Sequence, residues 1–286
     1  MKYVDRTDLS VLIYGVRLCY QSWHRSDDLG PNDRKLLKNI EKMKHYSPFN
    51  LLWYWFEEVA HDDWLNWITK NPTFQHFCFY APQRGELLVN ARTLLEGKGN
   101  DDFTDELIRQ VKDVTPVIFG DTDANLKIEQ ESIFPQDGDD YIAVLDVFPK
   151  TNPKLVTIEV KGLSRALLQQ WIRHFQFPLV KSTRYTLKEL VNNPISNFTE
   201  VGKYDIIDET NTGNLNYLAW IIRQYNVPSD YAKYALPEAY KTHLVSVFPV
   251  WSLNNLLDVR STKAAMWEWN KWTDLLKEEL PKHGIV

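Results

Sequence analysis

Residues 155–174 read LVTIEVKGLSRALLQQWIRH, and this stretch constrains the fold more than any other. β-branched residues alternate along 155–160, the pattern of a strand. Gly162 breaks that strand, and Ser164 stands where an N-cap would open a helix over 163–174. A strand handing over directly to a helix places the chain among folds that mix sheets with amphipathic helices.

Other segments fill in the frame. Residues 9–20 (LSVLIYGVRLCY) alternate poorly and suit a strand running into a helix. Over 33–45, Leu36, Leu37, Ile40 and Met43 recur at helical spacing, and Ser47-Pro48 stops that helix. The aromatic run Leu51 to Phe56 reads equally as a strand or a buried helix. Further helices are expected over 214–226 and over 261–280, the latter carrying Trp267, Trp269 and Trp272 and ending at Pro281. Between 57 and 154 the character changes. Residues 100–146 are rich in Asp and Glu, with Pro116 and Pro135 and turn signals among them, and read as an inserted acidic segment or subdomain with strands such as Tyr141 to Val147. No internal repeat is evident in the letters.

The chain has 286 residues, 44% hydrophobic and 25% charged, which is ordinary for a globular protein. A net charge of −5 argues against a nucleic-acid binder. Two cysteines, Cys19 and Cys78, make neither a disulfide framework nor a metal spacing, and His45, His61 and His76 lack metal-ligand spacing too. Cys19 is expected to pack in the interior. The opening MKYVDRTDLS lacks a signal-peptide core, and no apolar run nears the roughly 20 residues of a membrane helix. The expectation is a soluble, cytoplasmic protein without membrane contact, in which Asn197-Phe198-Thr199 is an incidental sequon. Asp137-Gly138-Asp139-Asp140 is too short for a calcium loop and reads as an exposed turn. The tryptophans at 53, 55, 64, 67, 267, 269 and 272 read as core and subunit contacts.

The richest chemistry lies in Gln170-Trp171-Ile172-Arg173-His174 and Lys181-Ser182-Thr183-Arg184-Tyr185, joined by a short loop containing Pro178. Arginine forks grip phosphate bidentately, and a hydroxyl with backbone N–H groups completes an anion pocket. A surface cluster at a helix end would look the same.

Arg-His, a short spacer and Ser-x-Arg-Tyr resemble the signature of the flavin-dependent thymidylate synthases. Three more blocks agree in order: Arg17 to Asp28 with His45-Tyr46-Ser47-Pro48; Ala232 to Pro237 with Tyr240 to His243; and Ser252 to Arg260 running into Trp267-Glu268. The resemblance covers about residues 9–56 and 155–281. It implies an α+β fold, a twisted, mainly antiparallel sheet flanked by long helices, as a single domain over 1–286 with the acidic insert 57–154 inside it. It also implies a dUMP site at Gln170, Arg173, Ser182, Arg184, Lys233 and Arg260, with Arg173 and Arg260 acting on the uracil, and FAD contacts at Ser47, His174 and Asn255. The implied reaction is C5 methylation of dUMP to dTMP using methylenetetrahydrofolate and NADPH, in a homotetramer. The alternatives are a relative that methylates or hydroxymethylates another pyrimidine nucleotide, and a nucleotide-binding homologue without flavin chemistry.

Two departures fall on the flavin side. The family reads Arg-His-Arg where this chain has Arg173-His174-Phe175, and Asn-Ala-Arg before Ser-Leu where it has Pro249-Val250-Trp251. The loop to Ser182 is one residue shorter than usual. The missing triplet is spelled instead by Asn90-Ala91-Arg92, before Thr93-Leu94 in the insert. These residues either supply donors from elsewhere or simply open a helix.

Overall fold

Lys2–Arg6 forms β1 and Leu9–Cys19 forms α1 in the computed structural model, which describes residues 1–120, 133, 138, 140–149, 154–194 and 197–285. Residues 9–19 are therefore helical from the start, and the expected leading strand lies earlier. The cause is burial. Leu9, Val11, Leu12, Ile13, Tyr14, Val16 and Leu18 are all buried, so α1 is apolar on nearly every side and shows no 3.6-residue rhythm.

Pro31–Lys42 forms α2, with proline at its first turn and Leu37 and Ile40 buried. It ends at Lys42, and Lys44 then turns through φ +55°, ahead of Ser47-Pro48. The ambiguous aromatic run becomes β2, Trp53–Glu57. His61–Lys70 (α3), Cys78–Ala81 (β3), Glu86–Asn90 (β4), Ala91–Gly97 (α4), Asp102–Val111 (α5) and Pro116–Phe119 (α6) follow. The sheet runs β1-β2-β4-β3, every neighbouring pair antiparallel, with Tyr54 opposite Val89 and Cys78 opposite Val89 on the other side.

Tyr141–Phe148 forms β5 and Leu155–Ser164 forms β6. β6 runs past Gly162, which takes φ +96° and bends the strand without ending it. Ser164 is the N-cap of α7, Arg165–Trp171, its hydroxyl accepting from Leu167 N–H at 3.0 Å. Next come β7 (Phe177–Val180), α8 (Thr183–Thr186) and α9 (Asp205–Tyr225). Only the second half of α9 buries residues, Leu215, Leu218, Ala219 and Ile222, so the apolar rhythm reveals the helix from about residue 214 while the polar first half is hidden from it. Ser229–Ala232 (α10), Lys241–Pro249 (β8), Val250–Arg260 (α11) and Trp269–Glu279 (α12) complete the chain. The last expected helix thus begins at Trp269. Trp269 and Trp272 are buried, but Trp267 is half exposed. The second sheet runs β5-β6-β8-β7. The fold is α+β.

The described residues cluster into two compact units. One takes those of Met1–Arg17, Trp23–Pro135 and Leu145–Thr157; the other takes those of Leu18–Ser22, Gln136–Val144 and Ile158–Val286. Segment 57–154 supplies β3, β4, β5 and α3 to α6. Asp137 and Asp139 of the expected acidic turn lie outside the described residues, while Asp140 bonds Lys241 and Lys271.

The two sheets share one plan. In each, the second strand leads into a helix, the third strand forms an edge, and the fourth returns to pair with the second before another helix begins. Glu58 and Gly162 both adopt left-handed φ, each three residues before its helix. Trp67 and Trp171 both stand seventh in that helix, and both are buried. Thr93-Leu94 and Ser252-Leu253 are buried at equivalent places where the fourth strand passes into helix. This repetition is in the topology; few letters carry it.

Candidate functional site

Helix α7 carries Gln170 on its last turn, and the chain leaves it through Arg173 and His174. Arg260, the last residue of α11, reaches both ends of this turn. Its Nε–H donates to His174 Nε2 at 3.1 Å, and its NH1 donates to Gln170 Oε1 at 3.3 Å. Trp269 Nε1–H donates to the same Gln170 oxygen at 3.0 Å, and the Arg260 guanidinium lies 5.1 Å from the Trp269 ring centre. Trp269 in turn stacks on Trp171 at 5.4 Å. Gln170, His174 and Arg260 are thereby fixed on a rigid aromatic base.

The His174–Arg260 bond sets a protonation state. An arginine N–H can only donate, so Nε2 must be the lone-pair nitrogen and the imidazole neutral. Burial, then the Arg260 charge, push the His174 pKa below its ordinary value.

A second set surrounds Asp230. Arg184 Nε lies 3.0 Å and Lys233 Nζ 3.2 Å from its two carboxylate oxygens. Ser182, two residues before Arg184, precedes α8, and its backbone N–H donates to Cys19 O at 3.0 Å. The carboxylate thus sits between two cations, the place an anionic ligand would take. Arg173 is exposed, with no ion pair among the described residues. Asn255 is exposed on α11. Ser47 begins a short 3-10 turn, Ser47–Leu51, in the first unit.

The residues expected from the sequence therefore form two contact sets, Gln170–His174–Arg260 and Arg184–Lys233 with Ser182 close in sequence. Asp230 and Trp269 were missed. Asp230 was legible as the i,i+3 partner of Lys233; nothing in the sequence marks Trp269 off from its neighbouring tryptophans.

The two departures on the flavin side pack against each other. Phe175 stacks on Trp251 at 5.4 Å with planes 28° apart, and Phe177 meets Phe175 edge-on at 5.5 Å. Trp251 remains 56% exposed. An open indole face is a surface on which a planar ring can stack, and the Phe175 beneath it follows His174 directly in the chain. Asn90 has a different use: its buried side chain caps α4 by accepting from Thr93 N–H, while Arg92 pairs with Glu96 and lies over Phe77. Burial pushes both cysteine thiols up to about 12, so neither is a nucleophile at neutral pH. No helix among the described residues is long and apolar enough to cross a membrane.

Residues 154–283 match the family model of the thymidylate synthase complementing proteins. A flavin-dependent thymidylate synthase of Campylobacter jejuni is 39% identical over 135 residues, 44% of this chain and 65% of that protein. One from Helicobacter pylori is 36% identical over 138 residues, 43% of this chain and 65% of that protein. The chain thus spans about 65% of the length of the curated relatives it matches. A crystal structure of thymidylate synthase X from Helicobacter pylori with FAD and dUMP aligns over 98% of this chain and 92% of that one, at 21% identity and a TM-score of 0.42. Residues 154–283, where the Gln170, His174 and Arg260 cluster lies, are thus similar in sequence to the flavin-dependent thymidylate synthases.

Proposed function

We propose that this protein is a flavin-dependent enzyme that methylates C5 of dUMP, with methylenetetrahydrofolate giving the one-carbon unit and NADPH the reducing equivalents. The observation that carries the reading is the Gln170–His174–Arg260 cluster, in which a neutral histidine and a glutamine oxygen hold a guanidinium over the Trp269 ring. A bound flavin would supply hydride and mediate transfer of the one-carbon unit, the chemistry side chains lack. The chain's own residues would bind and orient. Arg260 and Gln170 would address the edge of a uracil with donors and one acceptor, Arg173 would polarise it, and His174 would hold Arg260 without competing for charge. Ser182, Arg184 and Lys233 would hold the phosphate, with Asp230 giving up its place between the cations. His174, Asn255 and Ser47 are the polar residues we assign to the flavin. The exposed, stacked Tyr217 and Trp220 of α9 support assembly with further copies, read here as a homotetramer.

The test is the visible spectrum of the purified protein with FAD and dUMP, followed by the mass of the product. A flavin band perturbed by dUMP, and a product heavier than dUMP by the mass of a CH2 (a methyl group in place of the C5 hydrogen), are the expected results. A hydroxymethyl product would move the reading to a relative with altered chemistry. A protein that binds dUMP but never FAD would sink the flavin reading and leave a nucleotide-binding homologue.

A further inference from the structure

A cavity of about 630 Å³ in the second unit shares no lining residue with either contact set described above. Its charged end is Asp140 with Lys241 and Lys271. Lys241 Nζ lies 2.9 Å from Asp140 Oδ1, without the angle of a hydrogen bond, and Lys271 bonds the other oxygen. One carboxylate stands against two ammonium groups, and the Lys241 side chain is held there only 19% exposed. Glu268, on another wall, makes no demand on a ligand, because Ser164 and Trp272 already donate to it.

Thr199 stands in the middle. Phe198 bridges to Tyr240, and Thr199 N–H donates to Ala239 O at 2.8 Å, so the backbone is fixed at this point. The Thr199 hydroxyl oxygen is buried all the same, with no hydrogen-bond partner among the described residues. A buried hydroxyl left unmatched costs stability, and folded proteins keep few of them. A smaller cavity of about 270 Å³ shares Thr199, Trp267 and Glu268 as walls with the first and adds the apolar side chains of Val201, Ile207 and Ala239. Met266 lines it on the side of the cluster, its Sδ 3.7 Å from Gln170 Nε2. Trp267 lines both spaces with half its surface open. Two ammonium groups, an unmatched hydroxyl and an aromatic and apolar wall are thus gathered in one place.

We propose that the two cavities form one binding site, separate from the nucleotide site, for a carboxylate joined to a flat apolar ring. The carboxylate lies between Lys241 and Lys271 and displaces Asp140 from one of them. A polar link such as an amide meets the Thr199 hydroxyl, and the ring packs against Trp267. A single negative charge suits this site better than a phosphate. Among the described residues no arginine fork lines either cavity, and Asp140, Glu200 and Glu238 repel a second negative charge.

The probe is hippurate, which carries a ring, an amide and a carboxylate in that order. It is titrated by calorimetry into the full chain with and without saturating dUMP, alongside N-acetylglycine, which lacks the ring, and phenyl phosphate. One hippurate per chain is expected, at the same affinity with and without dUMP, and the other two compounds should bind more weakly. Lys271→Gln should weaken hippurate by about 10-fold or more, the scale of one charge-assisted hydrogen bond. Asp140→Asn should tighten it, since a competing carboxylate is gone. Thr199→Val should weaken hippurate by about 3-fold or more while leaving the unfolding midpoint unchanged or raised, because the free protein leaves that hydroxyl unmatched. A purely structural Thr199 would do the reverse, lowering the midpoint with hippurate affinity intact, and would overturn the proposal. So would absence of hippurate binding at millimolar concentration, binding that dUMP abolishes, unchanged affinity in Lys271→Gln, or tighter binding of phenyl phosphate than of hippurate.

Discussion

Asp230 is the residue whose charge most directly opposes an anionic ligand. It lies at 3.0 Å from Arg184 and 3.2 Å from Lys233, both exposed enough for water to screen the pairs, so its contribution to folding is small. Its effect on binding is expected to be larger, because a phosphate must displace it or share its cations. Asp230→Asn should tighten dUMP binding by about 3- to 10-fold, read by calorimetry at low salt, with the gain shrinking as salt rises. Loss of affinity in that variant would mean that Asp230 positions the cations and does not compete for them. The two buried or half-buried histidines give a pH signature. His174 and His243 both have pKa values depressed below 6.5, in each case by burial first. The folded state then binds fewer protons than the unfolded state below that pH. Their contribution to stability is level above the ordinary histidine range and falls as pH drops below it, while Asp146, whose pKa burial pushes up to about 6, contributes in the opposite direction. Thermal unfolding of wild type and His174→Gln from pH 8 to pH 5 isolates the histidine part: the variant should gain stability relative to wild type as the pH falls. A difference between the two that does not change with pH would contradict it. At this scale the family motif made Gln170, His174 and Arg260 legible, since it names side chains directly. The meeting of Asp230 with Arg184 and the Phe175–Trp251 stack depend on which loops meet, and only the folded chain brings them together.

Among the elements, β6 and α7 do most to place the cluster, and Ser164 joins them. Its hydroxyl caps α7 and also donates to Glu268, a buried carboxylate that further accepts from the Ser164 backbone N–H at 3.0 Å and from Trp272 Nε1 at 3.3 Å. Ser164→Ala removes the cap and one of the donors that make a buried charge tolerable, costing roughly 1–3 kcal/mol. The expected results are a lower unfolding midpoint and weaker dUMP binding, because the α7 turn that carries Gln170 loses its anchor. A Ser164→Ala chain with unchanged stability would show that Glu268 finds compensation elsewhere. Ser164 was readable as a cap from the sequence; Glu268 as its partner, more than a hundred residues away, was not. The same division holds for whole elements. β5, β6 and α2 follow from local alternation and spacing, whereas the start of α1 reads as strand because it is buried on nearly every side, and the first half of α9 is missed because its only apolar residues, Ile206 and Ile207, are adjacent and form no repeating face.

For the molecule as a whole, the shared strand order has a functional counterpart. The positions of Gln170, Arg173 and His174 correspond to Asn66, Thr69 and Lys70 on α3. The first unit keeps the buried tryptophan that seats the helix but lacks the arginine and histidine that follow it. One dUMP per chain is therefore expected at saturation, lost in Arg173→Thr; equilibrium dialysis yielding two per chain would refute that assignment. Why the repeat escaped the letters has a physical answer. A sheet order needs only alternation, a left-handed residue and a buried anchor, and Glu58 serves one unit where Gly162 serves the other.

A polypeptide that writes the same strand order twice also sets itself a sorting problem as it emerges from synthesis. Each second strand meets two candidates for its fourth, β4 and β8, and a wrong choice yields a swapped, half-paired intermediate, the characteristic failure of repeated architectures. Differences at the fourth-strand exits then act as addresses. Asn90 in one and Pro249 in the other give the two strands unlike ends, so correct assembly is favoured by divergence between the copies as much as by pairing within each.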